Sequence, residues 1–159
     1  MSIDYRSLFE AIIRDDNVEA VRGALVAGFD ANECDQWGWS LVHRAAANNR
    51  PGVIHVLVEH HARVEQRSHI GWAPLHLAAI SGSPRATQAL LECGASPVVE
   101  NATGDTPLHF TAISQNLEVA TILLTAGADP NLPNGKGESP ISVARAKGLD
   151  PLVDLFERH

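Results

Sequence analysis

Eight histidines and two cysteines are the residues of this chain best suited to hold a metal or attack a substrate. His55, Glu59, His60 and His61 crowd into one segment. On a helix, the four-residue step from His55 to Glu59 puts an imidazole and a carboxylate on one face. A zinc site would still need a third ligand and partners that orient the first two. These read as surface histidines. Cys34 and Cys93 lie far apart, and a disulfide needs Cα atoms within about 7 Å, so pairing is not expected. Neither has a histidine close by in sequence, and Cys93 beside Gly94 reads as a partly buried filler. The chain has no Gly-x-Ser-x-Gly elbow, phosphate-binding glycine loop, Cys-x-x-Cys or His-Glu-x-x-His. No catalytic residue, metal or cofactor is expected, and the chain does not read as an enzyme.

Three of the histidines belong to a larger pattern. Gly38, Gly71, Gly104 and Gly137 fall 33 residues apart, a period typical of stacked supersecondary units. Three residues beyond each stand Leu41, Pro74, Pro107 and Pro140; two further on come His43, His76, His109 and Ser142. A second block, Leu57-Val58, Leu90-Leu91 and Leu123-Leu124, keeps the period and is followed by His61, Gly94 and Gly127. Thr106-Pro107 and Ser139-Pro140 start helices, the hydroxyl accepting from a free backbone N–H and Pro sitting where its missing N–H costs nothing. Ser40 keeps only the hydroxyl, and Ser7 to Glu10 has capping-box spacing. Alanine pairs such as Ala45-Ala46 and Ala78-Ala79 let neighbouring helices approach. A second helix from Leu117 to Leu124 ends at Gly127 in a left-handed conformation.

These blocks resemble the ankyrin repeat family. Thr106-Pro-Leu-His109, Leu117-Glu-Val119 and Leu123-Leu-Thr-Ala-Gly-Ala-Asp129 with Asn131 carry the likeness, and Gly71 to Ala79 with Leu90 to Ala95 is a second match. The resemblance implies an all-α repeat solenoid of helix-turn-helix units joined by β-hairpin fingers. It covers almost the whole chain, read as a single domain over 1–159. The units are approximately 5–32 (N-terminal cap), 33–65, 66–98, 99–131 and 132–159 (C-terminal cap), a complete small array with polar outer faces. The second helix of the first unit should run from Val18 to Ala27. Unit 33–65 departs most, with Leu41 for Pro, a second helix beginning after Pro51, and His61, expected left-handed, for the closing Gly.

Composition agrees with a small packed protein. The chain has 159 residues, 45% hydrophobic but only 5% aromatic, so Ala, Leu, Val and Ile must build the core. The net charge is −7, which argues against a phosphate-backbone binder or attachment to an anionic membrane. The first residues lack the apolar run of a signal peptide, and no stretch approaches the roughly 20 apolar residues of a spanning helix. The expected setting is the cytoplasm.

The resemblance further implies a non-enzymatic module that binds a protein partner through its fingers and the exposed side of its first helices. All three tryptophans flank finger glycines: Trp37, Trp39 and Trp72, with Ile70 at the position equivalent to Trp37. Trp39 and Trp72 should sit on adjacent fingers about 10 Å apart. The later fingers carry Thr103 and Asp105, then Lys136 and Glu138. Exposed tryptophan is enriched where partners bind, so Trp37, Trp39, Ile70 and Trp72 form the candidate patch, extended by Arg44, Asn48, Ile80, Ser81, Ile113 and Ser114. The competing reading is that the indoles only stiffen the fingers. Residues 99–131 hold four carboxylates and no Lys or Arg, a flank that could steer a basic partner.

The expected role is adaptor, regulator or inhibitor, of the immunity type among others, acting as a monomer. The alternative is a structural protein that dimerises through the tryptophan-rich fingers. Family members can be hydroxylated on the Asn that ends a repeat, which points to Asn131 and, less well placed, Asn32.

Overall fold

The computed structural model of the chain describes Leu8, Glu10 and residues 16–159. Ser7 and Phe9 of the expected capping box, and much of the unit drawn at 5–32, lie outside those residues. Helices are numbered from the first with described bounds: α1 (Val18–Val26), α2 (Leu41–Ala47), α3 (Pro51–Glu59), α4 (Pro74–Ile80), α5 (Pro84–Glu92), α6 (Pro107–Ser114), α7 (Leu117–Thr125), α8 (Pro140–Ala146) and α9 (Asp150–Glu157).

They stack in two rows. The short helices α2, α4, α6 and α8 pack each on the next, and α1, α3, α5, α7 and α9 do the same behind them. Small side chains make the close stack possible: Ala45, Ala46, Ala78, Ala79 and Ala144 are fully buried. Leu57, Leu90 and Leu123 recur one repeat apart and are wholly buried, each contributing roughly 2 kcal/mol of apolar burial.

Three columns of left-handed residues punctuate each unit. Gly38, Gly71, Gly104 and Gly137 turn the fingers; Asn49, Gly82, Gln115 and Gly148 close the short helices; Gly28, His61, Gly94 and Gly127 close the long ones. His61 takes φ 67° as expected, and unit 33–65 has a second non-glycine residue there, Asn49 at φ 55°. At Gly71 the conformation is not the only constraint. A Cβ there would stand 2.8 Å from the backbone N of Ala102 on the next finger.

The hairpin fingers are short, tight turns with little extended strand. Each closes with paired backbone bonds, such as Ser68 N–H to Trp72 O (2.9 Å) and Gly71 N–H to Ser68 O (2.9 Å). Among the described residues a single isolated bridge, Cys34 with Ser40, is all the β structure present. The hydroxyl caps are present as expected: the Ser40 hydroxyl accepts from the His43 amide (3.5 Å) and the Ser139 hydroxyl from the Ser142 amide (3.3 Å), while the Thr106 hydroxyl also stands 3.0 Å from Nδ1 of His109.

Candidate protein-binding surface

The repeated histidines tie the fold to the fingers. In His43, Nδ1 accepts from the Ser40 amide (3.1 Å). Nδ1 therefore carries no proton, so Nε2 carries it and donates to the Trp72 carbonyl at 2.9 Å. His76 repeats the pattern from the Ala73 amide (3.0 Å) to the Asp105 carbonyl (2.9 Å). His109 runs from the Thr106 amide (3.0 Å) to the Glu138 carbonyl (3.0 Å). Each imidazole caps one helix and clamps the next finger. Burial pushes His43 down to about 4 and lowers His76 also, so His43 is neutral at physiological pH and keeps its acceptor nitrogen.

The tryptophans divide into two kinds. Trp37 and Ile70, at equivalent finger tips, are 58% and 57% exposed. The two tips are joined by the His69 amide donating to the Trp37 carbonyl (3.0 Å). Trp39 and Trp72 are half-buried. Their ring centroids lie 6.5 Å apart in an edge-to-face arrangement, closer than the 10 Å expected from repeat spacing because the indoles lean together. Trp39 also packs 5.2 Å from the His43 ring, and Trp72 lies 4.5 Å from Phe110. Phe110 was missed from sequence; its side chain on α6 completes a run of aromatics across three units.

Asp35 sets the first finger. Its carboxylate accepts from the amides of Trp37 (2.9 Å) and Trp39 (3.0 Å) and pairs with Arg44 at 2.5 Å. Burial alone would raise its pKa, but those bonds and the guanidinium hold it below the usual carboxylate value.

Of the extending residues, Arg44 is thus half-buried and engaged with Asp35. Asn48 caps α2, its amide donating to the Arg44 carbonyl (2.8 Å). Ile80 is half-buried against the core, Ser81 is exposed, and Ile113 is 53% exposed. Ser114 is half-buried, with its hydroxyl oxygen enclosed and lacking a hydrogen-bond partner. Asn131 is exposed, its amide donating to Asp129 (2.8 Å). Asn32 instead spans two units, donating to the His61 carbonyl (3.0 Å) and accepting from the Arg63 amide (2.8 Å).

On the long-helix face the pairing differs from the sequence pattern. His55 does not join Glu59, which holds Arg22 at 3.2 Å. Its Nε2 lies 3.6 Å from Glu92 and its Nδ1 3.6 Å from the Cys93 sulfur. Burial, then Glu92 and Glu59, push the Cys93 thiol up, the reverse of what a nucleophile needs. Among the described residues no three His, Cys, Asp or Glu side chains gather to hold a metal ion, both cysteines are free, and no helix is long and apolar enough to cross a membrane.

A family model for ankyrin repeats, in three copies, matches residues 8–101 and 70–134. No curated protein matches the chain.

Proposed function

The chain belongs to the ankyrin repeat family, whose repeats mediate protein–protein interactions, and from that premise we propose that it binds a protein partner through its fingers and first helices. The observation that carries this is the side-by-side exposure of Trp37 and Ile70, backed by the half-buried Trp39 and Trp72. Large apolar groups held at the tips of a rigid array offer contact area with little ordering cost on binding. The Trp37 amide donates to the Asp35 carboxylate and its carbonyl accepts from the His69 amide, so that tip is fixed before a partner arrives.

On this reading the protein is a non-enzymatic regulator or inhibitor that works by adhesion and occlusion, and it acts as a monomer. Its net charge of −7 disfavours nucleic acid or an anionic membrane as the partner. The two free, half-buried thiols suit the reducing cytoplasm we assign it. The test uses wild type and Trp37→Ser/Ile70→Ser as baits in lysate of the native host. The account requires a protein retained by the first and lost by the second. Equal retention would move the site off the fingers. Concentration-dependent sedimentation of wild type alone, abolished in the variant, would establish self-association instead.

A further inference from the structure

One finger position changes chemistry halfway along the array. Trp39 and Trp72 occupy it in the first two described fingers, Asp105 and Glu138 in the next two. The last three are held alike, each by a histidine Nε2–H donated to its own carbonyl. The column is thus a rigid strip, apolar at one end and anionic at the other.

Among the described residues, neither carboxylate of the anionic end is in an ion pair. Asp105 is held by uncharged groups, with Thr103 Oγ1 donating at 2.6 Å and the Asn134 amide at 2.6 Å. Burial opposes its charge, but those bonds lower its pKa and keep it ionised. Glu138 is exposed. Arg67 spends its guanidinium on the carbonyls of Gly71 and Glu100. Lys136, at the tip of the Glu138 finger, is one cation set against Glu100, Asp105 and Glu138.

We infer that the occupant of this strip is a linear segment of another protein that sets a bulky apolar side chain against Trp37, Ile70 and Trp72 and a Lys or Arg against Asp105 and Glu138. This rests on the reading that the fingers bind a protein partner, and adds its chemistry. Charge complementarity selects that occupant. A second copy of this chain would bring −7 against −7, and a nucleic acid would add phosphates to carboxylates. Packed helices lie about 8–10 Å apart, so Trp72 and Glu138, two units apart, are separated by roughly 16–20 Å. An extended segment rises about 3.3 Å per residue, so the apolar and basic side chains stand about five or six residues apart.

The test is selection of a phage-displayed library of random peptides, about twelve residues long to span the strip, on the immobilised full chain. Selected peptides are then synthesised and titrated. All three tryptophans of the chain lie in the first two fingers, so intrinsic fluorescence reads occupancy directly. The expected peptides pair an aromatic or leucine with Lys or Arg at that spacing. Their affinity falls about tenfold or more on raising salt from about 0.05 to about 0.5 M, and several-fold in Glu138→Lys. It is lost in Trp37→Ser/Ile70→Ser, with circular dichroism confirming that both variants fold. Peptides that need the fingers but lack basic residues and ignore salt would overturn this inference and leave the finger reading standing. Peptides bound equally by the finger variant would overturn the finger reading itself. Failure to enrich any peptide would exclude a linear segment as the occupant.

Discussion

His43 and Trp72, 29 residues apart, are joined by a 2.9 Å hydrogen bond from the imidazole Nε2 to the tryptophan carbonyl. The residue that caps one helix thereby holds the finger that carries the candidate binding surface. Stability and recognition share this contact, and the first consequences concern its loss.

His43→Ala leaves the Ser40 amide and the Trp72 carbonyl unpaired in a buried setting and opens a cavity. The expected cost is about 3 kcal/mol, read as a lower urea midpoint with an unchanged slope. A cost below about 1 kcal/mol would show that the clamp is dispensable.

The same contact makes the fold acid-sensitive. His43 titrates at about 4 in the folded chain against an ordinary 6.5, so between those values the unfolded chain binds the extra proton. Stability from this group is fully present above about pH 6.5, falls as pH drops through the window, and is gone below about pH 4, a loss of order 3 kcal/mol. His76 is shifted the same way and adds to the slope. Urea midpoints measured from neutral to acid pH should decline across that window in wild type and much less in a folded His43→Gln variant.

Finger Gly71 should not be equivalent to helix-closing Gly94. Gly71→Ala forces a left-handed residue against the Ala102 backbone 2.8 Å away, whereas a Cβ at Gly94, also left-handed, meets nothing within 4 Å. The first substitution is expected to cost about 2 kcal/mol or more and the second about 1 kcal/mol. Equal melting shifts would contradict the close approach of adjacent fingers.

The tryptophans should separate by role. Trp72→Ala removes a ring packed 4.5 Å from Phe110 and 6.5 Å from Trp39, costing about 2–3 kcal/mol. Trp37→Ser/Ile70→Ser should change stability by about 0.5 kcal/mol or less while removing partner binding. Chemical denaturation of both tests the division, and a large loss in the second variant would make the exposed pair structural.

What was legible in the sequence is what is local and periodic. The four finger glycines, the Pro-led helices and the left-handed His61 each follow from backbone needs within a few residues. The partnerships between units were not legible. Cys93 meets His55 because adjacent long helices pack side by side, a relation that periodicity allows but does not specify. Asp16 accepts from the amides of Gly52 (3.4 Å) and Val53 (3.2 Å) at the start of α3, a cap supplied from the preceding unit. Spacing put Trp39 and Trp72 on adjacent fingers but did not foresee the lean that brings their rings to 6.5 Å. Sequence therefore located the candidate surface, while its sorting into exposed tips and packed supports needed coordinates.

The central claim is that a protein partner docks on the fingers rather than on the long-helix face. A photo-crosslinking amino acid placed at position 70, and in a second version at exposed Gln88 on α5, would test it in lysate of the native host. Illumination should yield a discrete protein adduct from position 70 and none from position 88. Adducts from position 88 alone, or the same adducts from both, would contradict the assignment.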